Sequence, residues 1–98
     1  MIDASERDLK VIKEILKKHV PDTEVRAFGS RVSGTAKSYS DLDLVIMGRE
    51  PIRRGILAQL KEVFQESGLP FRVDLMDWNR ITPEFQNIIA ENYIVIQG

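Results

Sequence analysis

Two aspartates separated by one residue, Asp41 and Asp43, are the side chains in this sequence whose type and spacing best suit catalysis. They begin the segment Asp-Leu-Asp-Leu-Val-Ile-Met over residues 41–47, and its dense apolar residues predict a strand. Side chains alternate between the two faces of a strand, so both carboxylates should share one face and the intervening leucines the other. The predicted strand therefore presents a pair of carboxylates on one side and packs with the other.

A third aspartate, Asp74, lies within a predicted strand over residues 71–78, whereas Asp77, an alternative acid, has the opposite parity. If the two strands are neighbours, Asp74 can join Asp41 and Asp43 on one face. Three carboxylates repel one another, so positive charge is required among them. Arginine or lysine could supply it, but oxygen-only clusters suit Mg²⁺, and two such ions can clamp the oxygens of an in-line displacement. We predict that all three aspartates are catalytic and bind metal.

The predicted phosphate-binding segment is Gly29-Ser30, which follows a predicted strand over residues 24–28. Glycine lets the backbone approach a phosphate closely, and free N–H groups together with a serine hydroxyl can bind the phosphate oxygens. Arg31 and Ser40 lie in the loop that follows. We predict that Gly29, Ser30, Arg31 and Ser40 bind a ligand that carries phosphate.

Neither Gly-Ser nor Asp-x-Asp indicates a function alone, since both arise often by chance. Their combination is more specific: Gly29-Ser30, ten residues, Asp41-Leu42-Asp43, and Asp74 after an intervening helix. This order resembles the nucleotidyltransferase superfamily that includes DNA polymerase beta. Within it, the chain resembles the short MNT-type proteins that are antitoxins paired with HEPN toxins. The resemblance covers nearly the whole chain.

The resemblance implies a role for each motif. The aspartates matching Asp41 and Asp43 bind both metals, the one matching Asp74 is the third ligand and helps to activate the attacking hydroxyl, and Gly29-Ser30 holds the triphosphate. The implied reaction transfers a nucleoside monophosphate from an NTP to a hydroxyl with the help of two Mg²⁺ ions. The transferred group is AMP if the NTP is ATP. The implied acceptor is a HEPN toxin, typically through a tyrosine.

Two other interpretations remain open from the sequence. The chain could be a non-catalytic nucleotide- or partner-binding module that neutralises its partner by occlusion. It could also carry a structural ladder of aspartates satisfied by arginines, which predicts no Mg²⁺-dependent thermal shift with nucleotide.

Hydrophobic periodicity predicts the elements that position these residues. In chain order they are a helix over 5–20, a strand over 24–28, a loop over 30–40 with room for one helical turn, a strand over 41–47, a helix from Pro51 to near Gly68, a strand over 71–78, a helix starting at Thr82-Pro83, and a segment over 94–96. Ser5 and Thr82 are predicted N-caps, and the last segment is either an edge strand or a docked tail. The predicted fold class is α/β (α+β): a small mixed sheet packed with helices, as in the nucleotidyltransferase fold.

Composition limits the remaining possibilities. A chain of 98 residues is predicted to form one domain over residues 1–98. The formal net charge of −1 with dispersed basic residues argues against a broad nucleic-acid surface. The absence of cysteine fits the cytoplasm, and no apolar run approaches the roughly 20 residues of a membrane helix. Because no further domain is predicted to bind the acceptor, we expect a homo- or hetero-oligomer in which a partner supplies it.

Overall fold

The computed structural model describes residues 1–98 as one mixed sheet with helices packed against it. The elements, in chain order, are α1 (Glu6–His19), β1 (Glu24–Phe28), α2 (Ser30–Ser33), β2 (Leu42–Met47), α3 (Arg54–Gln65), β3 (Val73–Asp77), a 3₁₀ turn (Trp78–Arg80), α4 (Pro83–Glu91) and β4 (Ile94–Gln97). The strand order in the sheet is β3-β2-β1-β4. The predicted fold class is confirmed.

Pairing within the sheet is mixed and places β3 and β4 at its two edges. Strand β1 is antiparallel to both β2 and β4, whereas β2 and β3 are parallel. Of the two alternatives for residues 94–96, the edge strand is therefore correct. The parallel pair makes the two acidic strands neighbours, as the convergence of the aspartates requires.

Each face of the sheet has its own hydrophobic cluster. On one face, residues of α1 and α3, such as Leu16 and Leu60, pack against Leu44 of β2 in a cluster of 12 buried residues. On the other face, Phe28 and Val45 pack against Ile89 of α4 in a smaller cluster. Both faces of the central strands are thus covered, and this holds the strand ends that carry the acidic residues in fixed positions.

Two of the predicted helix starts are confirmed by their capping bonds. The Ser5 hydroxyl accepts a hydrogen bond from the Asp8 N–H at 3.1 Å. The Thr82 hydroxyl accepts one from the Phe85 N–H at 3.2 Å, with Pro83 in the first turn. Ordinary capping chemistry therefore sets the entry to α1 and α4.

The start predicted for the second long helix is wrong. Helix α3 begins at Arg54 and ends at Gln65, so Pro51 precedes it rather than occupying its first turn. The Ile52 N–H donates instead to the Asp77 carboxylate at 2.8 Å, which ties the segment before α3 to the end of β3. The predicted strand over 71–78 is also too long, because β3 begins at Val73 and ends at Asp77. Asp77 caps a 3₁₀ turn there by accepting from the Asn79 N–H at 2.9 Å.

None of the helices has the length and apolar character needed to cross a membrane.

Candidate active site

Asp43 and Asp74 lie side by side on the parallel strands β2 and β3, in direct register. The condition under which Asp74 can join Asp43 on one face, that their strands are neighbours, is therefore met. The pKa of Asp43 rises from 3.8 to about 6, first because partial burial disfavours the charged carboxylate and then because Asp74 and Asp41 repel it. Arg72 acts in the opposite direction. A cation placed at this pair would therefore relieve an unfavourable concentration of negative charge.

Asp41 immediately precedes β2 and is held by Arg72, a residue outside the predicted motifs. Its Oδ2 atom accepts hydrogen bonds from Arg72 Nη2 at 2.7 Å and from Arg72 Nε at 3.2 Å. The Asp41 carboxylate raises the pKa of Arg72, yet the Arg72 side chain is 76% exposed. Arg72 lies within the predicted strand over 71–78, two residues before Asp74, so strand parity could have placed it on the acidic face.

Gly29 connects β1 to α2 and lies against the Asp43 carboxylate. A Cβ atom at Gly29 would come within 2.2 Å of Asp43 Oδ2, and the backbone there has φ +82°. Both the positive φ and the close approach require glycine. Gly29 and Asp43, which belong to separate motifs in the sequence, therefore lie in contact in the structure.

Ser30 begins α2, directly after Gly29. The Gly29 carbonyl accepts hydrogen bonds from the N–H groups of Val32 and Ser33, both at 3.0 Å, which fixes the first turn. The first N–H groups of a helix have no partner within that helix. Ser30 thus lies where backbone N–H groups and a hydroxyl can bind an anion beside Asp43.

Arg31 is buried, and its guanidinium is engaged within the protein. It donates to the carbonyl oxygens of Asp3 at 2.8 Å, Ser40 at 2.9 Å and Ser38 at 3.1 Å. The same group stacks on Phe71, 4.2 Å from the ring centroid. This geometry supports a role in holding the loop rather than the direct nucleotide contact predicted for Arg31.

Ser40 also stabilises the loop that leads to Asp41. Its hydroxyl accepts a hydrogen bond from the Lys37 N–H at 2.9 Å, and its carbonyl accepts from Arg31. The Ser40 hydroxyl is therefore engaged in a turn on the approach to the acidic strand.

The alternative acid, Asp77, has a structural position. It is buried and accepts hydrogen bonds from the N–H groups of Ile52 and Asn79 and from Arg80 Nη1 at 3.0 Å. Its charge is thus neutralised within the fold, away from Asp43 and Asp74.

The chemistry of the three aspartates fits a hard divalent cation, because all their donor atoms are carboxylate oxygens. No group of three or more acidic, histidine or cysteine side chains is arranged in this structure to hold a metal ion. Asp43 and Asp74 are adjacent, whereas Asp41 pairs with Arg72. A three-carboxylate site would require Asp41 to exchange Arg72 for the metal.

The model of the nucleotidyltransferase domain family matches residues 9–96. The chain belongs to this family. Over 96 residues, this nucleotidyltransferase domain is 50% identical to the probable protein adenylyltransferase MntA of Haemophilus influenzae, covering 98% of the present chain and 84% of MntA. The resemblance found in the sequence is therefore confirmed at the level of the family.

Solved structures share the fold of this nucleotidyltransferase domain. A toxin-antitoxin structure with AMP-PNP matches at a TM-score of 0.77 and 21% identity, over 92% of the present chain and 73% of the other. A tri-AMPylated HEPN toxin in complex with an MNT antitoxin, from Shewanella oneidensis, matches at a TM-score of 0.71 and 19% identity, over 95% and 71% respectively.

Proposed function

We propose that this chain is a minimal, metal-dependent nucleotidyltransferase over residues 1–98 that transfers AMP from ATP to a hydroxyl of a HEPN-type toxin and thereby acts as an antitoxin. One observation carries the proposal: Asp43 and Asp74 are in register on parallel strands while Gly29 lies against the Asp43 carboxylate. The likeness to a probable protein adenylyltransferase supports the reaction, and the fold shared with an antitoxin bound to an AMPylated toxin supports the partner.

Asp41, Asp43 and Asp74 would hold Mg²⁺. When bound there, Mg²⁺ neutralises charge on the triphosphate and on the reacting oxygens. The proximity of Asp43 to Asp74 supports this assignment, because their mutual repulsion favours a cation. Asp41 would join them after leaving Arg72.

The nucleotide-binding residues would act through the backbone as much as through side chains. Gly29 lets a phosphate approach the main chain, and Ser30 offers its hydroxyl and the N–H groups at the start of α2. Arg31 and Ser40 would keep the loop in place through the hydrogen bonds they already make. Ordering these groups before nucleotide binds reduces the reorganisation needed for reaction.

Asp74 would accept the proton of the attacking hydroxyl. The acceptor oxygen then forms a bond to the α-phosphorus, the bond from that phosphorus to the bridging oxygen breaks, and pyrophosphate leaves. No covalent intermediate with the enzyme is required.

Mass spectrometry of the partner toxin after incubation with the chain, ATP and Mg²⁺ tests the proposal. The expected result is a gain of one or more AMP units. Asp43→Asn should abolish the gain because it removes a carboxylate from the metal site, and an unchanged circular dichroism spectrum should show that the variant folds. Absence of any adduct with folded wild-type protein, or full transfer by Asp43→Asn, would overturn the proposal.

A second candidate is occlusion of the partner without catalysis, and the Asp41–Arg72 ion pair favours it because that pair satisfies Asp41 without metal. The double variant Asp41→Asn/Asp43→Asn separates the two candidates. If the toxin is silenced only by transfer, this variant should leave it active. Full silencing by the variant would instead support occlusion.

A further inference from the structure

Arg72 is the basic side chain that contacts the acidic residues of the candidate site. Its Nη2 and Nε atoms both donate to Asp41 Oδ2, at 2.7 and 3.2 Å. These bonds join the residue before β2 to the residue before β3, because β3 begins at Val73. A side chain of the chain itself thus supplies positive charge to an acidic site that requires it.

Arg72 also lies on the face of the sheet that carries the other two carboxylates. Its carbonyl accepts a hydrogen bond from the Leu42 N–H at 2.9 Å, which continues the pairing of β2 with β3 by one residue. Strand parity therefore places Arg72 on the same face as Asp74, which is in register with Asp43. The guanidinium is accordingly close to the region where a metal-bound nucleotide would lie.

The ion pair between Arg72 and Asp41 is open to solvent. The Arg72 side chain is 76% exposed and that of Asp41 is 32% exposed. Both hydrogen bonds of the guanidinium go to Asp41, and an ion pair in such a position contributes little to stability. Arg72 can therefore change its partner at small cost and without disturbing the packing of the fold.

Phosphate is the ligand whose chemistry best fits a guanidinium released from Asp41. The planar, forked arrangement of its donors matches the oxygens of a phosphate as well as those of a carboxylate. A carboxylate and a phosphate that share one Mg²⁺ ion are neighbours in its coordination shell. When Asp41 binds the proposed metal, phosphate oxygens of the nucleotide therefore lie beside the oxygen that Arg72 already holds.

We propose that Arg72 is a nucleotide-binding residue that changes partners: it holds Asp41 before substrate binds and then binds phosphate oxygens of the nucleotide, while Asp41 turns to the metal. This inference rests on the proposed function, because it needs a nucleoside triphosphate at the aspartates. Gly29 ends the connection from β1 on one side of β2, and Arg72 precedes β3 on the other. The phosphates are then bound from both sides of the acidic strand.

Two binding measurements on Arg72→Gln test the inference without turnover. The affinity for Mg²⁺ alone, measured by calorimetry, should rise by about threefold, because no guanidinium competes for Asp41. The affinity for a non-hydrolysable ATP analogue, measured at a Mg²⁺ concentration that saturates each protein, should fall by about tenfold, because a charged donor to phosphate is lost.

The matched control is Arg49→Gln, which makes the same charge change at an exposed position beyond the far end of β2. This variant should bind both Mg²⁺ and the analogue like wild type. Circular dichroism should show that both variants fold, since each replaces an exposed side chain.

The outcomes separate failure of the inference from failure of the function. If wild type binds neither Mg²⁺ nor the analogue, the proposed function fails together with the inference. If wild type binds both, but Arg72→Gln binds the analogue as tightly as Arg49→Gln does, only the inference fails. Weaker binding of Mg²⁺ alone by Arg72→Gln would also overturn the inference, because Arg72 would then position Asp41 for the metal instead of competing with it.

Chemical labelling of arginine tests the change of partner in the wild-type protein. Phenylglyoxal reacts with accessible guanidinium groups, and mass spectrometry of the digested protein follows each arginine separately. Labelling of Arg72 should be slower with Mg²⁺ and the analogue than with Mg²⁺ alone, whereas labelling of Arg49, the internal control, should be equal under the two conditions. Equal labelling of Arg72 under the two conditions would contradict the inference.

Discussion

Asp43 is placed where burial and two like charges act together on one carboxyl group, and each of them disfavours its ionisation. The resulting pKa of about 6, compared with 3.8 for a free carboxyl, means that the folded state binds the proton more tightly than the unfolded state does. This contribution to stability is complete below the unfolded pKa and is lost as pH rises through the folded value. The ionised site is therefore a source of instability in the metal-free protein.

The pH dependence of unfolding should reveal this effect. In EDTA, the free energy of unfolding of wild type should fall between about pH 4 and pH 7. The fall should exceed that of Asp43→Asn by on the order of 1 kcal/mol. The difference is small because solvent screens the charges around a partly exposed carboxyl group. Urea titrations followed by circular dichroism measure the difference. Parallel pH profiles for the two proteins would mean that Asp43 is not perturbed by its neighbours.

Gly29 offers a second test on the scale of a single residue, with a control built into the chain. Gly29→Ala should both destabilise the protein and abolish transfer, because its Cβ would come within 2.2 Å of Asp43 Oδ2. Gly34 has a similar φ of +87°, but nothing lies within 4 Å of a Cβ placed there. Gly34→Ala should therefore show only backbone strain, on the order of 1–2 kcal/mol, and retain most transfer.

Thermal unfolding and a transfer assay on both glycine variants separate strain from contact. The contact with Asp43 matters if Gly29→Ala loses far more transfer than Gly34→Ala. Equal losses in the two variants would mean that the approach of Gly29 to Asp43 has no functional part.

On the scale of elements, the segment from α2 to β2 is held mainly by one side chain. Arg31 donates to the backbone carbonyls of Ser38 and Ser40, near the end of the loop, and to that of Asp3 in the N-terminal segment, and it stacks on Phe71. Such a set of bonds uses the planar, forked shape of guanidinium, which an ammonium group cannot reproduce. Charge alone should not replace it.

Arg31→Lys should lower the free energy of unfolding by about 2 kcal/mol or more, because carbonyls that accept from a charged donor lose their partner. Tryptic cleavage at the exposed Lys37 should also become faster as the loop opens. Arg49→Lys, an exposed arginine beyond the far end of β2, is the matched control and should behave like wild type. Equal stability of the two variants would show that Arg31 does not anchor the loop.

The sequence predicted those elements whose limits are set locally. Strand β1 has the predicted bounds Glu24–Phe28, and the caps Ser5 and Thr82 act as expected, because short-range polarity and hydrogen bonding decide them. Pro51 was misassigned because its neighbour Ile52 bonds to Asp77, 25 residues later in the chain. Local sequence patterns cannot predict a hydrogen bond between segments that are so far apart in the chain.

The same difference between local patterns and long-range contacts applies to the candidate site. Strand parity predicted that Asp41 and Asp43 share a face, but the pairing of Asp43 with Asp74 depended on strand order, which only the fold decides. The Arg72–Asp41 pair also joins distant segments. Arg31 was predicted as a nucleotide contact because it lies in the loop that follows Gly29-Ser30, whereas in the structure it is buried and bound to backbone carbonyls.

On the scale of the whole molecule, the hydrophobic residues that stabilise the fold and the aspartates of the candidate site lie in different parts of the sheet. Helices α1 and α3 and the larger hydrophobic cluster cover one face, while the aspartates lie toward the end of β2 and β3 where α2 approaches. The cost of that arrangement is a set of like charges in an otherwise well-satisfied fold, which has no buried side-chain polar atom without a hydrogen bond. Ligand that neutralises those charges should therefore stabilise the entire protein.

Thermal unfolding with Mg²⁺ and a non-hydrolysable ATP analogue tests this expectation. A ligand at about a hundred times its dissociation constant adds roughly 2.7 kcal/mol, which for a domain of this size raises Tm by on the order of 10 °C. Asp41→Asn/Asp43→Asn should show no such rise, although its ligand-free Tm should equal or exceed that of wild type because the repulsion is gone. The quantity to compare between wild type and the double variant is therefore the rise in Tm caused by ligand, not the Tm itself. A wild-type protein with no Mg²⁺-dependent shift would instead fit aspartates that are satisfied by Arg72 alone and have only a structural role.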